Sequence, residues 1–313
     1  MSSASSKKIV WFAVAANSSI AVTKFLAAFA TGSSAMFSEA IHSVVDTGNQ
    51  CLLLLGMSQS QKPPDESHPF GYGKEVYFWT LIVAVVLFSM GGGVALYEGI
   101  SHLIHPRAMG DPTWAYVVLA AGMVFEGISW FIAVKEVRSR AKGRTMWQQV
   151  RASKDMSVIT VLLEDTAALL GLTIAFLGIF FGHMLNNPYL DGCASVAIGV
   201  MLSFVALVLV RESKGLLVGE SADPATVASI RDLVVDDPFV VDVKSVLTMH
   251  FGPNEVLLNV ELLFEDGISE DDSVRAVIRL ERAILERHPD MKRIFIEAVP
   301  PHILPATPTE SGK

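Results

Sequence analysis

Charge is scarce in this chain. Charged residues make up 18% of its 313 positions, against about 25% in an ordinary soluble domain, which argues against a purely soluble fold. Cysteine is nearly absent. Cys51 and Cys193 both fall inside apolar runs, with neither the CxxC spacing of a zinc site nor the numbers of a disulfide framework, and they read as small packing residues. The first apolar run, from Ile9, lacks a small-residue cleavage site before further hydrophobic segments arrive, so it reads as a permanent span and not as a removable signal peptide. Basic clusters are missing outside one loop and the net charge is -8, which argues against nucleic acid as a partner. There is no HExxH, no GxSxG and no nucleophile paired with a base, so the chain does not read as an enzyme.

What the sequence has instead is apolar length. Apolar residues are 51% of the chain and the mean hydropathy is +0.45. About 20 mostly apolar residues cross the hydrocarbon core as a helix, and six stretches qualify: 9–31, 35–57, 77–99, 113–134, 158–182 and 189–210. An even count places both termini on one side. The loop between the fourth and fifth spans holds Lys135, Arg138, Arg140, Lys142, Arg144, Arg151 and Lys154, whereas Arg107 is the lone basic residue of the third-to-fourth loop. Basic short loops face the cytoplasm, so both termini are expected there, in a multi-pass protein of a bacterial inner (cell) membrane. From about Arg211 the charge density becomes that of a soluble domain. A helix over 223–235, strands over 240–251 and 255–264, a helix over 269–287 and a strand over 293–299 are predicted from capping residues, Val/Leu-rich runs and the Gly252-Pro253 break. The α-β-β-α-β order suits a small sheet with both helices on one face. The expected domains are therefore 1–210 in the membrane, 211–300 outside it, and a disordered tail over 301–313.

Ionisable side chains in mid-bilayer cost several kcal/mol and are functional hypotheses by default. In the second span Glu39, His42, Asp46, Asn49 and Gln50 step along the helix so that all five share a stripe about 100° wide. An imidazole and a carboxylate one turn apart, His42 with Asp46, suit a borderline cation such as zinc, which takes N and O ligands. The fifth span offers Glu164 and Asp165. Adjacent helical residues diverge by about 100°, so one can complete a site while the other meets a different partner or a water path. Glu126 and Asp191 are weaker candidates, and Lys24 is expected to snorkel to the interface. In the loop before the third span, Asp65 and His68 could share a cation, or could simply be the solvated charges of a turn.

Three segments together resemble the cation diffusion facilitator family: Ser38-Glu39-Ala40-Ile41-His42-Ser43-Val44-Val45-Asp46-Thr47-Gly48-Asn49-Gln50, Ser67-His68-Pro69-Phe70-Gly71-Tyr72-Gly73-Lys74 and Leu162-Leu163-Glu164-Asp165-Thr166-Ala167-Ala168. They look most like the branch containing the animal mitochondrial zinc transporters. The resemblance implies an α-helical membrane protein of six transmembrane helices with a C-terminal cytoplasmic α+β ferredoxin-like domain, a homodimer, and export of zinc or a similar cation in exchange for protons. His42 and Asp46 fall on the second-span pair and Asp165 on the acidic member of the fifth-span pair, with Glu164 as a further candidate ligand. Val161 stands where members usually carry His or Asp, so a water, Glu164 or Asn49 would have to supply the remaining ligand. Asp65 and His68 fall on two of three positions of an accessory metal site, with Tyr72 in place of a second His. In the tail, Val260, Ile296 and Ala298 stand where bacterial zinc members place ligands, leaving His250, His288 and Glu297 isolated, so the tail is expected mainly to hold the dimer.

The mechanism so implied is alternating access, with zinc as the first choice of cargo and Co2+, Fe2+, Mn2+ and Cd2+ open beside it; no prosthetic group is expected. Metal binding needs neutral imidazole and ionised carboxylates, and His42, with an ordinary pKa of about 6.5, is the natural proton exchanger. The competing reading is a proton-coupled exporter of an organic cation or small metabolite, with Glu39, Asp46 and Asp165 as counter-ions.

Overall fold

The computed structural model describes residues 18–106, 111–139, 156–253 and 255–299. Residues 9–17 of the first predicted span, Arg107, the basic stretch from Arg140 to Lys154 and the 301–313 tail lie outside the described residues. The chain divides into two compact units, one reaching Pro63 and resuming over Glu75–Gly215, the other formed by Pro64–Lys74 and the residues from Leu216.

The first unit is helical: α1 (Ser18–Thr31), α2 (Ser34–Ser60), α3 (Glu75–Ile104), α4 (Thr113–Ser139), α5 (Met156–Met184) and α6 (Tyr189–Val218). Four of these, α3 to α6, are long and apolar enough to cross a membrane. α2 is as long as α4, but its polar stripe dilutes its apolar character, and α1 is described only from Ser18. On α4, Val117, Val124, Phe125, Ile128, Phe131 and Ile132 are exposed, a face that suits lipid. Cys51 and Cys193, expected to pack inside, stand on exposed helix faces instead.

The join of α1 to α2 is fixed locally. Gly32 takes a positive φ of 68° and its N–H returns to Ala28 O at 2.8 Å, a left-handed helix stop open to glycine at little cost. Ser33 then caps α2, its Oγ accepting from Met36 N at 3.1 Å. α3 carries a π-helical segment, Leu87–Gly93, within its length, and there its backbone meets α6 closely. A Cβ at Gly199 would stand 2.7 Å from Leu96 N and 3.0 Å from Gly92 O, and one at Gly99 would stand 2.7 Å from Val196 N. Small residues permit this approach between membrane helices.

The second unit has the element order α-β-β-α-β: α7 (Pro224–Val235), β1 (Val240–Gly252), β2 (Glu255–Phe264), α8 (Glu270–Arg287) and β3 (Met291–Ala298). β2 is central, antiparallel to β1 and parallel to β3. Asp223 caps α7 with Pro224 following, and Ser269 caps α8. Val256, Leu258, Val260 and Leu262, alternate residues of β2, are buried against Ile230, Val234, Leu280 and Ile284 of the two helices, as the period-two pattern of a strand requires. Pro64–Lys74 packs within this unit. Phe70 stacks on Phe251 with ring centroids 5.1 Å apart, Arg293 lies over Phe70 and donates to Pro69 O at 3.3 Å, and Gly73 abuts the carbonyl of Phe251 so closely that a Cβ has no room.

Candidate functional site

The polar stripe predicted on α2 faces inward. Glu39, His42 and Asn49 are 0% exposed and the Asp46 side chain is 15% exposed. His42 Nδ1 and Asp46 Oδ1 stand 3.3 Å apart without hydrogen-bond alignment. Among the described residues neither ring nitrogen of His42 nor Oδ1 of Asp46 has a hydrogen-bond partner. Buried polar atoms are nearly always paired, so an imidazole with two unused nitrogens beside a carboxylate is a donor set that an incoming cation would satisfy.

The two acids of α5 part company, as their adjacency dictates. Glu164 turns to α2 and accepts from Asn49 Nδ2 at 2.7 Å. Asp165 turns to α4 and accepts from Ser129 Oγ at 2.7 Å. It lines a cavity of about 680 Å3 with Glu126, Ser129, Gln50, Trp114 and Phe125 among the walls. Val161, one turn before Asp165, packs with Ala133, Val137 and Leu162 in an apolar cluster. Among the described residues no three His, Cys, Asp or Glu side chains are grouped closely enough to hold one metal ion. The structure thus unites His42 with Asp46 and ties Glu164 to the same helix through Asn49, while Asp165 lies in the adjoining cavity.

Lys24 does not snorkel. It is 1% exposed, donates to Ser43 Oγ at 2.7 Å and pairs with Glu39 Oε2 at 3.3 Å. The physical reason lies in depth: Lys24 is seven residues before the end of α1 at Thr31, roughly 10 Å at 1.5 Å per residue, and a partner carboxylate is much nearer than the interface. The signal in the sequence was Glu39, a second buried charge on α2 that needed a cation. Asp191, left open between packing and function, holds the start of α2: it accepts from Ser33 Oγ at 2.5 Å, Ser34 N at 2.6 Å and Ser34 Oγ at 2.9 Å, with His102 Nδ1 at 3.7 Å. A carboxylate there satisfies orphan donors and complements the helix dipole.

In the second unit Asp65 and His68 are neighbours, Oδ1 to Nδ1 3.5 Å, on an exposed turn. Asp65 is already engaged: Tyr72 O–H donates to it at 2.6 Å, Ser67 O–H at 2.8 Å and His68 N–H at 2.7 Å. These donors, Tyr72 first, hold its carboxyl well below the usual carboxylate range. Val260 is a fully buried core residue, Ile296 packs against the same core, and His288 ends α8 with its Nε2 3.1 Å from Ser229 Oγ.

A helical membrane unit with a buried His–Asp pair and acids on a facing helix defines an integral membrane protein built to handle cations. Residues 10–218 match the cation efflux transmembrane domain, and the chain belongs to that family of transporters, the cation diffusion facilitators, near the branch of the animal mitochondrial zinc antiporters. It is 39% identical over 263 residues to the mitochondrial proton-coupled zinc antiporter SLC30A9 of Mus musculus, covering 83% of this chain and 46% of that one. It is 30% identical over 284 residues to metal tolerance protein C4 of Arabidopsis thaliana, covering 90% and 62%. It is 22% identical over 301 residues to the manganese efflux system protein MneP of Bacillus subtilis, covering 94% and 96%. The chain spans about half the length of the SLC30A9 proteins it matches.

Proposed function

We propose that this chain exports a divalent metal cation, zinc first, in exchange for protons, through a site formed by His42 and Asp46 of α2 with Asp165 and Glu164 of α5. The observation that carries the proposal is the buried His42–Asp46 pair, whose unused nitrogen and oxygen atoms are donors for a cation and costly otherwise. The names of similar proteins, a proton-coupled zinc antiporter and a manganese efflux protein, support cation exchange and keep manganese beside zinc as cargo. His42 and Asp46 take the cation as neutral imidazole and carboxylate, and Asp165 approaches from the cavity side as a further ligand. Glu164, held by Asn49, secures α5 to α2 and is the candidate for the position that Val161 cannot fill. Protons arriving at the same groups displace the metal, so one set of side chains serves both ions in turn.

The wider arrangement is part of the same reading. α1 to α6 are six spans, residues 1–210 the transport domain, and residues 211–300 a cytoplasmic ferredoxin-like domain that joins a homodimer, for which the α-β-β-α-β order and the antiparallel-parallel sheet are the support. Both termini are cytoplasmic and the membrane is a bacterial inner membrane. Asp65 and His68 form a weak accessory metal site, since a metal there must compete with Tyr72 and Ser67 for Asp65. The apolar cavity with Asp165 and Glu126 in its wall is the feature that an exporter of organic cations would use.

Proteoliposomes loaded with a pH-sensitive dye separate the two. A zinc gradient is expected to drive proton movement, abolished by His42→Ala and by Asp46→Ala. Zinc-independent proton flux that survives both substitutions would refute the metal reading.

A further inference from the structure

Glu39, Asp46, Glu126, Glu164 and Asp165 stand in or beside the interior of the helical unit, and Lys24 of α1 is buried against the α2 stripe. That lysine is built in from several sides. Its ammonium is held by Glu39 and Ser43 of α2, the residues three before and one after His42. Its stem runs beside Gly122 of α4, where a Cβ would stand 3.6 Å from Lys24 Cε. Glu39 in turn fits because Gly171 of α5 has no side chain, for a Cβ there would collide with Glu39 Oε1. Gly171 on a further helix therefore makes the room for the carboxylate of this ion pair, while Gly122 lies at ordinary contact distance from the lysine stem. Glu39 and Ser43 bracket His42 on one turn of α2, so the ammonium stands beside the turn that carries the cation site.

A buried ion pair contributes little to stability compared with apolar residues of the same volume, so stability alone does not account for a pair buried beside His42 and given room by Gly171 of α5. We infer that Lys24 is a tethered counter-cation that sets the charge of the metal site, keeping its hold on a divalent ion weak enough for release. The inference rests on the transport reading above, with Lys24 as a positioning residue that does not touch the metal. In Coulomb terms, one unit charge facing a divalent ion at about a helical turn's distance is worth roughly tenfold in affinity even at high effective dielectric. Removing the lysine charge should tighten metal binding, and removing its partner's charge should loosen it.

The test uses the full chain in lipid nanodiscs, with zinc chloride titrated calorimetrically, and proteoliposomes for flux. Lys24→Met is expected to bind zinc about tenfold more tightly, with both KM and kcat reduced because release slows. Glu39→Gln, which keeps the hydrogen bond to Lys24, is expected to bind zinc about tenfold more weakly. Lys24→Met combined with Glu39→Gln restores the affinity of the unaltered protein. A merely structural pair would lower affinity, or leave it unchanged, in both single variants, and that result overturns the inference. Should Lys24→Met fail to fold, Glu39→Gln and the double variant decide by the same signs. If the unaltered protein binds zinc and only the variants fail to shift in opposite directions, the inference alone falls; if the unaltered protein binds no zinc, the transport reading falls and the inference with it.

Discussion

Glu164 and Asp165 are neighbours in sequence, yet the structure gives them different physical tasks, and alanine substitution should separate these. Glu164→Ala removes the acceptor of Asn49 Nδ2 and leaves a side chain that is 0% exposed with both polar ends unsatisfied, since Asn49 Oδ1 already lacks a partner among the described residues. An orphaned buried donor costs about 1–3 kcal/mol, and the lost methylenes add about 1 kcal/mol. Asp165→Ala releases Ser129, an exposed hydroxyl at the cavity wall that can find another acceptor, so its cost is about 1 kcal/mol or less. For a unit of this size about 1 kcal/mol moves Tm by roughly 2–4 °C. Glu164→Ala should therefore lower Tm by roughly 4–16 °C and Asp165→Ala by no more than about 4 °C, while Glu164→Gln, which keeps an acceptor, falls between. The assay is thermal unfolding in nanodiscs with a chelator present, so that metal binding does not stabilise one variant more than another. Equal losses, or a larger loss for Asp165→Ala, would show that Asn49–Glu164 does not secure the helices and would refute the reasoning.

Other consequences follow from the packing. Gly199→Ala forces α3 and α6 apart, because the new methyl would stand 2.7 Å from Leu96 N; overpacking of this kind costs about 1–3 kcal/mol, and a Tm equal to that of the unaltered chain would count against the close approach. Val260→Asp buries an unpaired carboxylate in the core of the second unit and is expected to unfold it, as far-ultraviolet circular dichroism with limited proteolysis would reveal. Tyr72→Phe removes the foremost donor to Asp65. A carboxyl held well below its usual value of 3.8 contributes stability that is fully present above that value and is lost only as pH falls through the depressed value of the folded state, so the variant should be less stable at pH 6 and, by a similar margin, at pH 4. A difference that already disappears between pH 6 and pH 4 would contradict this.

Much of the architecture was legible because single-chain periodicity records it. The α2 stripe had to be inward-facing, since five polar residues on one face of an otherwise apolar helix have no other favourable place. β2 matched its predicted limits, 255–264, because a central strand buried between sheet neighbours and helices shows an alternation that nothing local disturbs. Boundaries drifted where the helix ran on: α6 continues to Val218, past the expected end at 210, because Arg211, Glu212 and Lys214 are good helix formers even though they carry charge. The cysteines were misjudged for a simple reason. An apolar run does not say which of its faces meets lipid and which meets protein.

The apolar helices, the α-β-β-α-β order of the second unit and the shared polar face of His42 and Asp46 could be read from residue type at a helical or strand spacing. Packing between elements settled which acid of α5 meets Asn49 and which meets Ser129, that Asp191 holds the first turn of α2, and that Lys24 belongs to the interior with Glu39. Those pairings join residues on different helices, up to 158 positions apart. Spacing along one helix fixes the face a side chain occupies, but the partner on that face is fixed by how the helices pack.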